Sequence, residues 1–375
     1  MDTRVKLGIV GCGPKGAQVM YAPILRFLEK GAVTALMDPD PSALDTMRAV
    51  CPGAATYTSY DQFLQQADID AVIIATPVHL HSSQAQQAAA AHKHVLCEKP
   101  MARTTAECDA MIAACRDANV TLMLAFMKRF DKSFRLAKQL IDSGELGKVF
   151  QVRCEFAWHI PDEGDEGWRA KRVTWGGMFQ DHGSHTIDLC RWWLGDVDTV
   201  YADVQIIRPE REVEDMAAAI LRHSGGAVSI HQVTGATHKP LREYYLIDGD
   251  KGSLEMQYGP AWSYTAAAPF QMTLYQGGNR SRDVTPYNLP NLDDELRAHS
   301  HYLLEIEAFC ESILTRTPPP SAGLDGRKAI EAINAAYLSS WRSETIHLPL
   351  TETPDLNDYF LNLFLSGPPK KRGDF

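Results

Sequence analysis

The sequence predicts an α/β fold whose N-terminal third is a doubly wound parallel sheet, and three observations point to it. The chain opens on a short apolar run, Val5–Val10 (VKLGIV), followed at once by the cluster Gly11-Cys12-Gly13-Pro14-Lys15-Gly16. The next apolar run closes on an acidic residue, Asp38, 22 residues after Gly16. Apolar runs and helical stretches then alternate as far as residue 125, the pattern of parallel strands joined by crossover helices.

Taken in order, residues 5–10 read as a buried strand and 17–29 as a helix. A strand follows at 33–37, then helices at Pro41–Val50 and Tyr60–Gln66. Residues 71–75 (AVIIA) form the next strand, 81–92 an alanine-rich helix and 95–97 a strand. A helix at 104–119 and a strand at 121–125 complete the series. At roughly 100–200 residues per domain, a chain of 375 suggests two, divided as 1–126 and 127–375.

The glycine cluster is G-x-G-x-x-G in the strand–turn–helix setting that gives it meaning. The first glycine permits a tight turn, the second lets backbone approach a pyrophosphate, and the third lets helix pack on strand. The cluster from Gly11 to Gly16, with Cys12, Gly13, Pro14 and Lys15 inside it, is therefore a candidate Rossmann dinucleotide site. A carboxylate at Asp38 can accept hydrogen bonds from both adenosine ribose hydroxyls and repels a 2′-phosphate. No basic residue follows it and Asp40 adds negative charge, so NAD is expected ahead of NADP. The plainer alternative for Asp38 is a turn former before Pro39.

Bulk composition narrows the function. Apolar residues make up 45% and charged residues 22%, the balance of a globular protein. A net charge of -10, with no long basic run before the tail, argues against nucleic acid or an anionic membrane as partner. The start does not read as a secretory signal, and no apolar run approaches the ~20 residues that span a bilayer. The eight cysteines contain no C-x-x-C pair, which fits reduced thiols in a cytoplasmic protein rather than a zinc ribbon or disulfide framework.

Ligands in doubly wound sheets bind beyond the carboxyl ends of the strands. Two loops there carry unusual residues: Thr76-Pro77-Val78-His79-Leu80-His81, and Glu98-Lys99-Pro100. A lysine at a strand end beside a cofactor crevice can donate to a substrate hydroxyl and stabilise alkoxide character; the plainer reading is a solvated surface lysine. Glu98 is a candidate partner of the nicotinamide ribose or of a nearby base. Pro100 fixes the turn, and its peptide bond is a candidate for the cis form.

ATPVHLH and HVLCEKPMA, following the glycine cluster in order, resemble the glucose–fructose oxidoreductase/inositol dehydrogenase (Gfo/Idh/MocA) family over nearly the whole chain. The resemblance implies a nicotinamide cofactor, a site role for the EKP lysine, Lys99, and a position near the nicotinamide for His81. It implies a second, α+β domain with an open, mostly antiparallel sheet. The sequence agrees in outline: a helix opens at 127–131 and runs to about 143, and residues 149–158 alternate as a half-buried strand. Further candidate strands lie at 199–207, 217–222, 227–233, 244–248, 252–257 and 270–275. Helices are expected at 295–315 and 324–340.

The segment Gly176-Gly177-Met178-Phe179-Gln180-Asp181-His182-Gly183-Ser184-His185-Thr186-Ile187-Asp188 is the candidate for the acid–base chemistry. In a helix, Asp181 and His185 fall on one face; the carboxylate orients the ring and the ring takes a hydroxyl proton. The segment is similar to the family's G-G-x-x-x-D-x-G-x-H-x-x-D element, which implies a catalytic trio of Lys99, Asp181 and His185. His182 competes for the base role, and Asp188 reads as a supporting acid. Asp181, His182, His185 and Asp188 could also ligate a metal, although no metal is the expectation.

Aromatic and cationic residues precede this element. Arg129, Trp158 and Trp168 are substrate-binding candidates with Lys99, Asp181 and His185, since sugars offer apolar C–H faces and hydroxyl rims. His231 and His238 are further cleft candidates. The resemblance implies dimers or tetramers built on the open sheet. The expected reaction is hydride transfer between NAD and a secondary hydroxyl or ketone of a sugar or cyclic polyol. The alternatives are glycoside cleavage through transient oxidation and elimination, and a non-catalytic nucleotide-responsive regulator.

Overall fold

The computed structural model describes residues 4–14, 16–160, 170–174, 177–208, 210–261, 270–277, 280–286, 294–351 and Tyr359. Lys15, Trp168 and the basic tail lie outside them. The chain divides into two compact units, residues 1–131 with 289–327, and residues 132–288 with 328–375. Residues 289–327 thus return to the N-terminal unit. Among the described residues, no helix is long and apolar enough to cross a membrane.

The first unit is built on β1 (Val5–Val10), α1 (Ala17–Met20), β2 (Gly31–Met37), α2 (Pro41–Val50), β3 (Ala55–Tyr57), α3 (Tyr60–Gln66) and β4 (Ala71–Ile74). It continues through α4 (Val78–Ala90), β5 (His94–Glu98), α5 (Thr105–Asp117) and β6 (Leu122–Ala125). The sheet order is β3-β2-β1-β4-β5-β6 with every pairing parallel. Its direction reverses between β1 and β4, where a ligand crevice is expected. β4 is buried along its whole length, as a strand covered on both faces must be.

Local chemistry sets the helix starts. Pro41 opens α2 behind Asp40, whose carboxylate accepts the Ser42 amide at 2.9 Å. Thr104 caps α5 by accepting the Glu107 amide at 3.2 Å. Three expectations need correction. The helix expected over 17–29 stops at Met20 and resumes only as a 3-10 turn at Leu25–Phe27, because Pro23 has no N–H and disfavours the helical conformation at Ala22. The helix expected from 81 begins at Val78, directly after Pro77, so His79 and His81 sit on its first turns. The helix expected from 127 is a 3-10 turn (Met127–Phe130), then a break at Asp131, then α6 (Lys132–Asp142).

The second unit contains α6, β7 (Val149–Ala157), α7 (Ser184–Leu194), β8 (Val197–Gln205), β9 (Met216–His223), β10 (Val228–Thr234) and β11 (Leu241–Gly249). It continues with β12 (Ser253–Ala261), β13 (Gln271–Tyr275) and β14 (Ser281–Asp283). After α8 (Asp294–Thr315), which lies in the first unit, α9 (Gly323–Arg342) leads to β15 (Ile346–His347). The nine-stranded order is β14-β13-β12-β11-β7-β10-β9-β8-β15, antiparallel except where β7 meets β10. One face alternates into the core and the other points outward.

Aromatic packing fixes α6 and α7 on this sheet. Phe134 of α6 meets Tyr245 edge-on at 5.3 Å and Phe270 at 4.9 Å, and Trp193 of α7 meets Tyr245 at 5.8 Å. Such pairs contribute about 0.5–1.5 kcal/mol each beyond area burial.

Candidate active site

The glycine turn after β1 has the shape a dinucleotide needs. Gly11 has φ +91°, and a Cβ there would lie 2.7 Å from the Ala75 carbonyl oxygen, so only glycine fits. At Gly13 nothing lies within 4 Å of the Cβ position, leaving its backbone open to close approach. A Cβ at Gly16 would sit 3.1 Å from the Ala75 oxygen, which holds the start of α1 against the loop after β4.

Asp38 closes the arrangement from the end of β2. Its Oδ2 accepts the Cys12 amide at 2.7 Å and its Oδ1 accepts the Asp40 amide at 2.9 Å. Asp38 therefore fixes the glycine turn. Cys12 takes part only through its backbone. Its side chain is fully buried, with the thiol on the Met37 carbonyl, and burial pushes that thiol up to about 12. Pro14 is exposed.

The loop after β4 and the EKP turn are tied together by His81. The ring is buried, with Nε2 2.7 Å from the Thr76 carbonyl oxygen and Nδ1 3.0 Å from that of Pro100. Both nitrogens are engaged, and the histidine braces two loops. Thr76 donates to Gln84 at 2.6 Å, while Pro77 caps α4. His79 keeps a buried Nδ1 with no partner among the described residues, which makes it the better placed histidine for a ligand. Burial and the nearby Arg103 hold its pKa below the usual histidine range.

Glu98 ends β5 and is buried; it accepts the Tyr21 hydroxyl at Oε1 and the Lys99 amide at Oε2, 3.1 Å away. Lys99 is half-buried at the end of that strand, and its bond to Pro100 is cis. Arg129, expected as a substrate ligand, makes internal ties. Nη1 donates to the Pro320 carbonyl at 2.9 Å and Nη2 lies 3.2 Å from Asp325.

In the second unit, Phe179–Gly183 forms a π-helical turn that runs directly into α7. The wide i→i+5 pattern corrects the assumption of uniform α-helical spacing between Asp181 and His185. Gly183 permits it: a Cβ there would meet the Phe179 ring at 2.5 Å. Hydroxyls bond carbonyls of the turn, Ser184 to Asp181 at 2.7 Å and Thr186 to Gly183 at 3.1 Å. Asp181, His182, His185 and Asp188 are all buried. The Asp181 carboxylate lies 3.6 Å from His182 Nε2, and the His182 ring stacks on Phe156 at 4.3 Å. Trp158 stands edge-on to His182 at 6.1 Å, its buried Nε1 without an acceptor among the described residues.

His231 is not a cleft residue. It lies in the core, its Nδ1 2.9 Å from the Thr186 hydroxyl and its Nε2 2.8 Å from Ser229, which in turn meets His223 at 2.9 Å. Cys154 and Cys190, 3.4 Å apart, adjoin it, and the three could group around a metal ion. Both ring nitrogens of His231 already face hydroxyls, which satisfies the group as a hydrogen-bonded core. None of the eight cysteines is in a disulfide, and all are buried.

Two family models match in tandem: "Oxidoreductase family, NAD-binding Rossmann fold" over residues 5–126 and "GFO/IDH/MocA C-terminal domain" over residues 134–255. The chain belongs to the Gfo/Idh/MocA oxidoreductase family. Like other members, this Gfo/Idh/MocA protein is an NAD(P)-dependent oxidoreductase with its nucleotide-binding residues in the N-terminal unit. It is 29% identical over 341 residues to a D-xylose 1-dehydrogenase (NADP(+)) of Haloferax volcanii, covering 91% of this chain and 99% of the other. A myo-inositol 2-dehydrogenase of Thermotoga maritima is 26% identical, covering 92% and 98%. The crystal structure of an aldose–aldose oxidoreductase from Caulobacter crescentus complexed with glycerol superposes with TM-score 0.80. It is 29% identical and covers 92% of this chain and all of the other.

Proposed function

We propose that this Gfo/Idh/MocA oxidoreductase oxidises a secondary hydroxyl of a sugar, sugar derivative or cyclic polyol, or reduces the matching ketone, with NAD preferred. The relatives named for D-xylose and myo-inositol support the substrate class. The observation that carries the reading is the burial of Asp181 in the π-helical turn and of His185 at the start of α7, which continues it, in a chain whose other unit holds the glycine turn and Lys99.

When bound, NAD(P) supplies the hydride acceptor. His185 takes the hydroxyl proton, Asp181 orients the ring and supports its protonated form, and Lys99 donates to the same oxygen as alkoxide character develops. The reading requires the three side chains to meet at one carbon. Asp38 and Asp40 support NAD over NADP, because a 2′-phosphate would face two carboxylates. The test is NADH formation by the purified protein across a panel of sugars and inositols, with Lys99→Ala alongside. Wild-type turnover in that variant overturns the assignment.

The outward face of the large sheet supports assembly of identical copies. Tyr201 pairs in register with Ile220, and Ile220 with Ile230, making an apolar strip across three strands. Tyr201 and Ile220 are 49% and 48% exposed, and exposed apolar strips of this kind mark contact surfaces.

A further inference from the structure

Glu214 stands just before β9 and is fully buried. One of its oxygens, Oε1, accepts the amides of Phe179 at 3.0 Å and Gln180 at 3.2 Å, and the Tyr337 hydroxyl at 2.8 Å. Its main-chain carbonyl accepts the Met178 amide at 3.0 Å. One residue therefore gathers three successive amides immediately ahead of Asp181. The other carboxylate oxygen, Oε2, has no partner among the described residues. It fills the space beside Gly177, where a Cβ would lie only 1.7 Å from it and 2.0 Å from the carboxyl carbon. The glycine is required because the carboxylate occupies the position of a side chain.

We infer that Glu214 is a positioning residue for the acid–base turn: by holding the amides of residues 178–180 it sets where Asp181 and, one turn on, His185 point. The inference rests on the reading of Asp181 and His185 as the acid–base pair. Stability calls for an acceptor here but not specifically for a carboxylate. Desolvating one is costly, while removing it would leave buried amide and hydroxyl donors unpaired, so the test reads kcat and KM beside the thermal midpoint. What a carboxylate adds is direction, since charge-assisted bonds to amides are short and geometrically demanding. Burial, outweighing the pull of its hydrogen-bond donors, pushes the Glu214 carboxyl up to about 7. Tyr337 completes the set from α9, and Gly177 leaves the carboxylate its place.

The experiment compares Glu214→Leu, Glu214→Gln, Gly177→Ala and Tyr337→Phe with wild type in the full-length protein. It reads kcat and KM for a sugar from the panel, KM for NAD, and the thermal midpoint. Misplacing a catalytic group by about 1 Å can cost ~100-fold, so Glu214→Leu is expected to lose roughly that in kcat with KM for NAD unchanged. Gly177→Ala should behave alike, because it displaces the carboxylate. Glu214→Gln keeps an acceptor for the amides and should recover a large part of the loss, which a purely structural role would not predict. A folded Glu214→Leu protein with kcat within about threefold of wild type overturns the inference. If that variant does not fold, unchanged kcat in Gly177→Ala and Tyr337→Phe overturns it instead. Asp181→Asn and His185→Asn separate the two levels. Turnover that survives in them sinks the acid–base reading and this inference with it; turnover lost there but kept in the Glu214 variants sinks this inference alone.

Discussion

The Asp38 carboxylate accepts the Cys12 amide at 2.7 Å, so the residue expected to meet the adenosine ribose also holds the turn expected to meet the pyrophosphate. Hydrogen bonds to charged groups contribute about 1.5–3 kcal/mol. Asp38→Ala is therefore expected to raise the dissociation constant for NAD by at least about tenfold and to narrow the preference over NADP. Calorimetric titration with both cofactors checks this.

Lys99→Ala and His185→Asn should each lower kcat by roughly 100- to 10,000-fold, the range for general acid–base groups. NAD binding, followed by fluorescence quenching, should persist in both. Loss of cofactor binding in His185→Asn would contradict its assignment to the proton.

Arg129 is tied to Pro320 and Asp325, so Arg129→Ala should act on stability and not on substrate affinity. Removing the guanidinium leaves buried polar groups unpaired, which costs about 1–3 kcal/mol. Urea denaturation and the KM for sugar distinguish the outcomes: a raised KM with unchanged stability would restore the substrate role.

His81→Phe should destabilise the first unit by a similar amount, about 1–3 kcal/mol, because the Thr76 and Pro100 carbonyls lose their donor. Burial holds the ring's pKa below the usual histidine range despite its two carbonyl contacts, so a neutral imidazole, with one N–H, donates to one of them. Proteolytic cleavage in the loops after β4 and β5 should rise in this variant.

His301 gives stability a pH dependence. Burial, with His299 and Lys128 nearby, lowers its pKa from 6.5 to about 3. The unfolded chain takes up this proton near pH 6.5 and the folded chain only near 3, so the unfolded state binds more protons between those values. Stability should therefore fall as pH drops through that window and level off near its lower end. His301→Leu should flatten the dependence in urea titrations at successive pH values.

Ile220→Asp should shift any assembly toward monomer in light scattering, since it sets a charge in the middle of the strip formed by Tyr201, Ile220 and Ile230.

Much of this protein was legible in its sequence because the signals are local. The glycine turn, the Asp38 spacing and the strands with period-two alternation each depend on a few neighbouring residues. The Asp181–His185 pair could be proposed from its residue types and spacing. Its turn could not, because a π-helical turn arises from Phe179 packing over Gly183 and from hydroxyls on nearby carbonyls. β3, β14 and β15 also escaped notice: two or three residues carry too little pattern to read.

Sequence by itself determined the fold class, the cofactor turn and the residue types available for proton transfer, since these follow from spacing and side-chain chemistry. Tertiary structure alone decided that Arg129, His81 and His231 are spent on internal bonds, and that Glu214 faces Gly177 from far along the chain. Burial and hydrogen-bond partners belong to the folded neighbourhood, and no window of adjacent residues contains them.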